Sequence, residues 1–252
     1  MSTIHGEHQL NLKIIIMKSK FGIIGKLNFL QNILSSLISH LNPAIIHNVE
    51  KYWAIKKIVY LNTLEQQVGD YLEFGVFTGS SFCHAIRCFN KLERFNPNQR
   101  QTKFIGFDSF EGFGELDDFD KHPFYIDQNF QTNFNSVKKR VKKTVNNKYK
   151  FSLIKGYFED TLTKNCKEYN IKNIRIAFID SDTYSSSKLA FDFIKNNVSP
   201  GSHLILDDFY SYNGDPSKGV SRAFNEFLTQ SGYNYRKILD YGMGGVAVVL
   251  YK

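Results

Sequence analysis

The chain has 252 residues, 42% of them hydrophobic and 15% aromatic, which suffices for a full core and excludes disorder, collagen-like repeats and a coiled coil as descriptions of the whole. Thirty-two Lys and Arg against 24 Asp and Glu leave a formal charge of +8, a field that favours an anionic substrate, nucleic acid or an acidic surface without choosing among them. Cys83, Cys88 and Cys166 are odd in number and lack C-x-x-C spacing, so neither a disulfide framework nor a structural zinc site is indicated, and a reducing cytoplasm is expected.

The first apolar cluster is Ile14-Ile15-Ile16-Met17, flanked by Lys13, Lys18 and Lys20. It is too short to span a bilayer and has no small-residue cleavage site, so neither a membrane span nor a signal is expected. Between Leu27 and Leu41 apolar residues recur at three and four, the helical period, opposite a neutral face of Asn28, Gln31, Asn32, Ser35, Ser36 and Ser39. A neutral face suits a protein contact better than a membrane surface. Residues 1–65 therefore read as a helical N-terminal extension that packs on the main domain or on a second copy, and a homo-oligomer is expected.

From Asp70 onward the pattern changes to short apolar runs: Tyr71 to Phe77, Lys103 to Phe107, Phe151 to Ile154, Ile174 to Ile179, His203 to Leu206, Tyr235 to Leu239 and Val246 to Leu250. Helical stretches begin between them near Ser80, Asn135, Thr161, Ser185 and Val220. Such alternation predicts crossover units and an α/β fold with helices on both faces of a mostly parallel sheet. The last two strands are joined by Asp240 to Gly245, too short for a crossover helix, so the last strand is expected to run antiparallel. This seven-stranded plan resembles the Rossmann-like class I methyltransferases, with residues 66–252 as the methyltransferase domain.

In such a sheet a ligand binds outside the carboxyl ends of the strands, so the strand-end residues are the informative ones. The first strand ends in Glu73-Phe74-Gly75-Val76-Phe77-Thr78-Gly79-Ser80-Ser81, where glycines permit close backbone approach and Ser80 or Ser81 can cap the following helix. This is not the G-x-G-x-x-G fingerprint, which disfavours a nicotinamide oxidoreductase. Asp108, in Phe107-Asp108-Ser109-Phe110-Glu111-Gly112, is placed to accept from ribose hydroxyls, or alternatively to cap a βα turn. The fourth strand leads into Asp180-Ser181-Asp182-Thr183-Tyr184 and the fifth into Asp207-Asp208-Phe209-Tyr210. Crowded carboxylates repel unless a cation lies between them, and Asp oxygens suit a hard ion such as Mg²⁺. The plainer alternative has Asp182 capping the next helix and Asp207-Asp208 opening a solvated loop.

At these residues the sequence resembles the macrocin O-methyltransferase family. Val68 to Val76, Phe107 to Gly112, Gly156-Tyr157-Phe158-Glu159-Asp160-Thr161-Leu162, Asp180 to Tyr184 with Ser186, and Asp207-Asp208-Phe209 followed by Ala223-Phe224-Asn225-Glu226-Phe227 look like its successive blocks, in family order over about residues 60–250. The resemblance implies an S-adenosylmethionine-dependent, metal-assisted O-methyltransferase of sugar hydroxyls on natural products. It implies that Glu73, Phe74, Gly75, Gly79, Ser80, Ser81, Asp108, Ser109 and Phe110 hold the methionine and ribose parts of the cofactor, with Gly156, Tyr157 and Phe158 near its adenine and Asp180 also within reach. Asp180, Asp207 and Asp208 match the metal positions, Mg²⁺ or another divalent cation, and Asp180 or Asp182 is the expected catalytic base. Ser80 stands where relatives tend to carry a further glycine.

Gly112 to Phe134 carries Phe113, Phe119, Phe124, Tyr125, Phe130 and Phe134, and is expected to be a lid over the acceptor, with Tyr210, Tyr212 and the loop to Lys218 as the opposite wall. His203 reads as a satisfied core histidine, and His84 follows the glycine turn on a helix. The basic run Lys138, Lys139, Arg140, Lys142, Lys143, Lys148 and Lys150 is interrupted by Val137, Val141 and Val145 at four-residue spacing, the signature of a solvated helix face. The alternative function is a nucleic-acid methyltransferase or a noncatalytic nucleic-acid-binding module using the basic helix 137–150. Base stacking would need aromatics on that face, which has almost none until Tyr149 and Phe151, so nucleic acid is not the expected partner; the resemblance implies a small sugar-containing acceptor.

Overall fold

The computed structural model describes residues 27–125 and 130–252, so the apolar cluster at Ile14 to Met17 lies outside the described residues. The first periodic stretch folds as α1 (Asn28–His40), stopping ahead of Pro43, whose ring disfavours helix in the residue before it. None of its residues is buried, and Phe29, Leu34 and Leu37 are each more than half exposed. A second helix, α2 (Pro43–Leu64), opens on that proline, a favoured first helical position.

The chain divides into two compact units between Ile46 and His47, which assigns most of α2 to the second unit although the sequence pattern suggests a boundary near residue 65. The physical reason is the stripe Ala54, Ile55, Ile58 and Val59, fully buried in one of the two hydrophobic clusters flanking the sheet. Asn62 anchors the same helix. It accepts from the Nε of buried Arg175 at 2.5 Å, and its amide lies 3.1 Å from the Nδ1 of His203. His203 is accordingly the satisfied core histidine its position predicts, and burial pushes its pKa down to about 4.

The second unit holds a seven-stranded sheet of β1 (Asp70–Phe74), β2 (Lys103–Asp108), β3 (Lys150–Lys155), β4 (Ile174–Ile179), β5 (Val198–Leu206), β6 (Asn234–Tyr241) and β7 (Gly245–Tyr251), in the order β3-β2-β1-β4-β5-β7-β6. All pairings are parallel except those of β7, which enters between β5 and β6 and runs against both. The short β6–β7 connection leaves no other possibility. Alternating side chains serve opposite faces: Tyr71, Phe104, Ile176 and Phe178 join the cluster with α2, while Leu72, Ile105, Ala177 and Ile179 join the other.

The connecting helices are α3 (Ser80–Leu92), α4 (Phe134–Val145), α5 (Phe158–Thr161), α6 (Tyr184–Ile194) and α7 (Gly219–Ser231). The helix predicted to begin near Thr161 instead ends there after a single turn. A separate 3-10 turn, Cys166–Tyr169, follows, held by a capping box between Asn165 and Glu168. Lys138, Lys139, Arg140, Lys142 and Lys143 lie on α4, with Val137, Val141 and Val145 buried beneath exposed lysines, but the helix stops at Val145 rather than running to residue 150: Lys148 falls in the bend that follows and Lys150 opens β3. Among the described residues no helix is long and apolar enough to cross a membrane.

Candidate functional site

The strand order reverses between β1 and β4, so a crevice opens beyond their carboxyl ends. A cleft open to solvent, with about 860 Å³ of space counting its open mouth, occupies it, lined by Gly75, Phe77, Asp108, Ser109, Gly112, Phe113, Phe130, Tyr157, Phe158 and Glu159 and by the polar group Lys51, Asp180, Ser181, Asp182 and Ser186. Gly75 makes the crevice possible: its φ is +91°, and a Cβ there would meet the Asp180 carbonyl oxygen at 1.8 Å. Four non-glycine residues with positive φ, Phe77, Phe110, Asp182 and Asp208, all lie just beyond strand ends around this crevice, where strain is tolerated because neighbours hold the turn.

Of the residues expected to hold the cofactor, Gly75, Asp108, Ser109, Tyr157, Phe158 and Asp180 line the cleft, whereas Glu73, Phe74, Gly79, Ser80, Ser81, Phe110 and Gly156 do not. Glu73 is fully buried and accepts from the Tyr71 hydroxyl at 2.5 Å and the Ser81 hydroxyl at 2.7 Å, so both predicted contacts are spent on each other. Burial raises the Glu73 carboxyl to about 7, against the two hydrogen bonds that favour its charge. Phe74 stacks on Phe107 with centroids 5.2 Å apart, and Phe110 is buried against Phe134. Neither Ser80 nor Ser81 caps α3; Gly79, in the left-handed region, is its N-cap. Gly156 forms the turn after β3, its N–H donating to the Asp108 carbonyl.

Of the two readings the sequence leaves open for Asp108, its hydrogen bonds are those of the turn cap, at a position that also lines the cleft. Its Oδ2 accepts from the Phe77 N–H at 2.7 Å and its Oδ1 from the Phe110 N–H, tying the β1 and β2 turns together, while the carboxylate still faces the cleft. Burial raises its pKa in spite of these backbone donors.

Beyond β4 and β5 the strand-end aspartates meet. Asp180, Asp207 and Asp208 each bring a carboxylate oxygen to a point where all three lie within 4.8 Å of one another, and Asp182 faces the same cleft. Burial raises Asp180 well above its ordinary range; Lys51 opposes this, and the charges of Asp207 and Asp208 add to it. Burial likewise raises Asp182, reinforced by Asp208 and Asp180, and raises Asp208, reinforced by Asp207. Asp207 goes the other way: burial pushes it up, but Lys51 and His47 outweigh burial and hold it below the usual carboxylate range.

Lys51, His47 and Glu50 are the residues that sequence reasoning missed. Spaced at i, i+3 and i+4, they share one face of α2. The Lys51 Nζ is 3.0 Å from Asp180 Oδ2 and also contacts Asp207 Oδ2, while His47 Nε2 is 3.4 Å from Asp207 Oδ2. Glu50 accepts from the Gly242 N–H at 2.7 Å and His47 Nδ1 from the Met243 N–H at 3.2 Å, seating α2 on the β6–β7 turn. A signal was available: Lys51 falls three, four and seven residues before Ala54, Ile55 and Ile58, a charge on an otherwise apolar helical stripe.

Asp182 does not cap α6. Thr183 does, accepting from the Ser186 N–H, and the buried Asp120 of the predicted lid accepts from the N–H groups of Tyr184 and Ser185. That segment is pinned on both arms, since Glu111 bridges Gln131 and the rings of Phe113 and Phe130 approach to 4.8 Å on the cleft wall; residues 126–129 lie outside the description. The Tyr212 hydroxyl donates to the Asp120 carbonyl at 2.8 Å, and its ring contacts His122 and Tyr125. His84 is turned away from the cleft, 2.9 Å from the Tyr52 carbonyl and stacked on that ring. Arg140, from the basic run, donates to the Thr78 carbonyl.

With this geometry in hand, the sequence profile described as macrocin-O-methyltransferase (TylF) matches residues 52–235. Among solved structures, the calicheamicin methyltransferase CalS11 superposes with a TM-score of 0.66 at 19% identity, covering 99% of this chain and 93% of that one. The O-methyltransferase NovP gives 0.64 at 19% identity over 80% and 79% of the two chains. The O-methyltransferase TomG from Streptomyces achromogenes, solved with SAM, gives 0.50 at 16% identity over 78% of each. At such identities the likeness is one of fold. No curated protein matches the chain by sequence.

Proposed function

Because the chain belongs to the macrocin O-methyltransferase family, we propose that its cleft transfers a methyl group from S-adenosylmethionine to a hydroxyl of a sugar-containing small molecule, assisted by a divalent cation such as Mg²⁺. The O-methyltransferase activity and its S-adenosylmethionine dependence follow from family membership. The acceptor class, the metal and the individual residue roles are our reading. A structural neighbour, CalS11, is described as a TDP-rhamnose 3'-O-methyltransferase, and we extend that acceptor class to this chain.

The observation that carries the reading is the convergence, in one cleft, of Asp108 at the end of β2 with Asp180 and Asp182 beyond the end of β4. Asp108, Ser109, Tyr157 and Phe158 would hold the nucleoside, and Gly75 lets the backbone come close to the methionine end. Asp180, Asp207 and Asp208 fit a hard cation: they offer oxygens only, and Asp207 Oδ1 is buried without a hydrogen bond of normal geometry, as is the Tyr241 hydroxyl that faces it. When bound, S-adenosylmethionine supplies an electrophilic methyl on a sulfonium, and a divalent cation acidifies a hydroxyl placed on it.

The protein's own part is to position the acceptor and take its proton. Phe113 and Phe130 wall the cleft with apolar surface that excludes water from one side of the acceptor. What is left to the chain would be to hold the acceptor oxygen in line with the donor and to take its proton on a carboxylate. Asp182 suits this role: it faces the cleft, stands outside the metal triad, and burial raises its pKa, which makes its carboxylate the stronger proton acceptor. Exposed apolar side chains on α1 are the support for a second copy as partner, checked by sedimentation of a Leu34→Asp, Leu37→Asp variant, which should be the smaller species. The nucleic-acid alternative is not favoured, since the lysines of α4 form a solvated face around a buried valine stripe.

The deciding experiment incubates the protein with S-adenosylmethionine and Mg²⁺, with and without chelator, against pools of sugars, nucleotide-sugars, catechols and RNA. Chelator-sensitive methylation of a sugar-containing pool is expected. Full activity in chelator rejects the metal role, and methylation confined to RNA rejects the acceptor class.

A further inference from the structure

Four aspartates around one crevice need positive charge, and the chain supplies a cation of its own. Lys51 is 9% exposed, with its Nζ against Asp180 and Asp207 and 5.6 Å from the centre of the Phe178 ring. These are two of the three carboxylates within reach of a shared cation. A divalent ion held by these carboxylates would lie a few ångströms from that ammonium, and like charges at such a separation repel strongly in a poorly screened site.

We propose that Lys51 is the counter-ion of the metal-free cluster and competes directly with the divalent cation for Asp180 and Asp207. The inference rests on the metal reading above and deepens it. Without metal, the ammonium keeps the carboxylates together and holds Asp207 ionised in the buried site. On loading, it must leave Asp207, and its four-carbon stem gives it the freedom to do so without moving the helix. The cost of that displacement sets the affinity, so the site loads only when divalent cation is plentiful. His47 and Glu50, bonded to the β6–β7 turn, hold this part of α2 so that Lys51 can return.

Mn²⁺ binding to the purified full chain, followed by the electron paramagnetic resonance of the free ion, tests this on wild type, Lys51→Met and Lys56→Met. Lys56 stands over the Trp53 ring on the same helix and serves as the control for simple loss of charge. Lys51→Met should bind Mn²⁺ at least tenfold more tightly than wild type, with Lys56→Met within twofold of wild type. Adding Asp207→Asn to Lys51→Met should remove the gain, which locates the ion. Without metal, Lys51→Met should melt below wild type, and Mn²⁺ should raise its melting temperature by more than it raises that of wild type. Where Lys51→Met does not fold, Lys51→Gln replaces it. Equal or weaker Mn²⁺ binding by a folded Lys51 variant, with wild type binding normally, overturns the competition and leaves the metal reading intact. An absence of Mn²⁺ binding at millimolar concentration in every variant overturns both.

Discussion

Gly75 and Asp180 lie so close that a single methyl on Gly75 would fall 1.8 Å from the Asp180 carbonyl oxygen, and this contact brings the β1 turn against the acidic residues of the crevice. Gly75→Ala must therefore move either the turn or the end of β4, in a backbone conformation that side chains rarely adopt. The expected result in urea unfolding is a loss of about 2–4 kcal/mol, together with a loss of S-adenosylmethionine binding. A variant with parental stability and affinity would show that the two strand ends are free to part.

Asp108→Ala removes the acceptor of the Phe77 and Phe110 N–H groups and the carboxylate facing the cleft. Hydrogen bonds to a charged group contribute about 1.5–3 kcal/mol each, so cofactor affinity measured by calorimetry should fall more than tenfold. At saturating cofactor, the KM for acceptor should change less than threefold, because Asp108 ends β2 whereas Asp182 follows β4, with β1 between them in the sheet. A change confined to acceptor KM would refute the ribose assignment.

Glu73 gives a signature in pH. Its folded pKa of about 7 exceeds the ordinary value of 4.5, so the folded state binds the proton more tightly than the unfolded chain. The resulting stability is fully present below about pH 4.5 and is lost as pH rises toward 7. Glu73→Gln, which cannot ionise, should gain on the parent across that window by up to about 3 kcal/mol. His203, whose folded pKa is lowered to about 4 from 6.5, has the opposite sign, losing stability as pH falls from 6.5 to 4. The two partly cancel in the parent, which is why the difference between parent and Glu73→Gln is the quantity to follow by chemical unfolding at each pH. Parallel curves would mean that Glu73 is not protonated in the fold.

Phe130 meets Phe113 on the cleft wall and is partly exposed, so little core depends on it. Phe130→Ala should raise the acceptor KM about tenfold, the cost of about 1.4 kcal/mol of lost contact, with thermal stability nearly unchanged. Unchanged acceptor kinetics would remove the lid segment from the acceptor site.

Much of this site was legible in the chain. The alternation of apolar runs with helical stretches predicts the order of strands and helices, and the short connection at Gly242 predicts the reversal of β7, because period and loop length are local properties. The acids at strand ends were legible for the same reason: a parallel sheet brings all its carboxyl ends to one edge, so Asp108, Asp180 and Asp207 had to share a rim. The first turn was less readable. Glu73 and Ser81 belong to the same motif as Gly75, but neighbouring strand residues point to opposite faces, and whether a polar side chain finds the cleft or an internal partner such as Tyr71 depends on atoms far along the chain.

The sequence by itself determined the fold, the family and the aspartates of the crevice, since each follows from residue type, spacing and local period. Only the tertiary structure decided what those aspartates face. Lys51 precedes Asp180 by 129 positions, and nothing in its neighbours names a partner. Its place is set by the buried stripe of Ala54, Ile55, Ile58 and Val59, which seats α2 on the sheet and so brings an ammonium to carboxylates that local pattern could not connect to it.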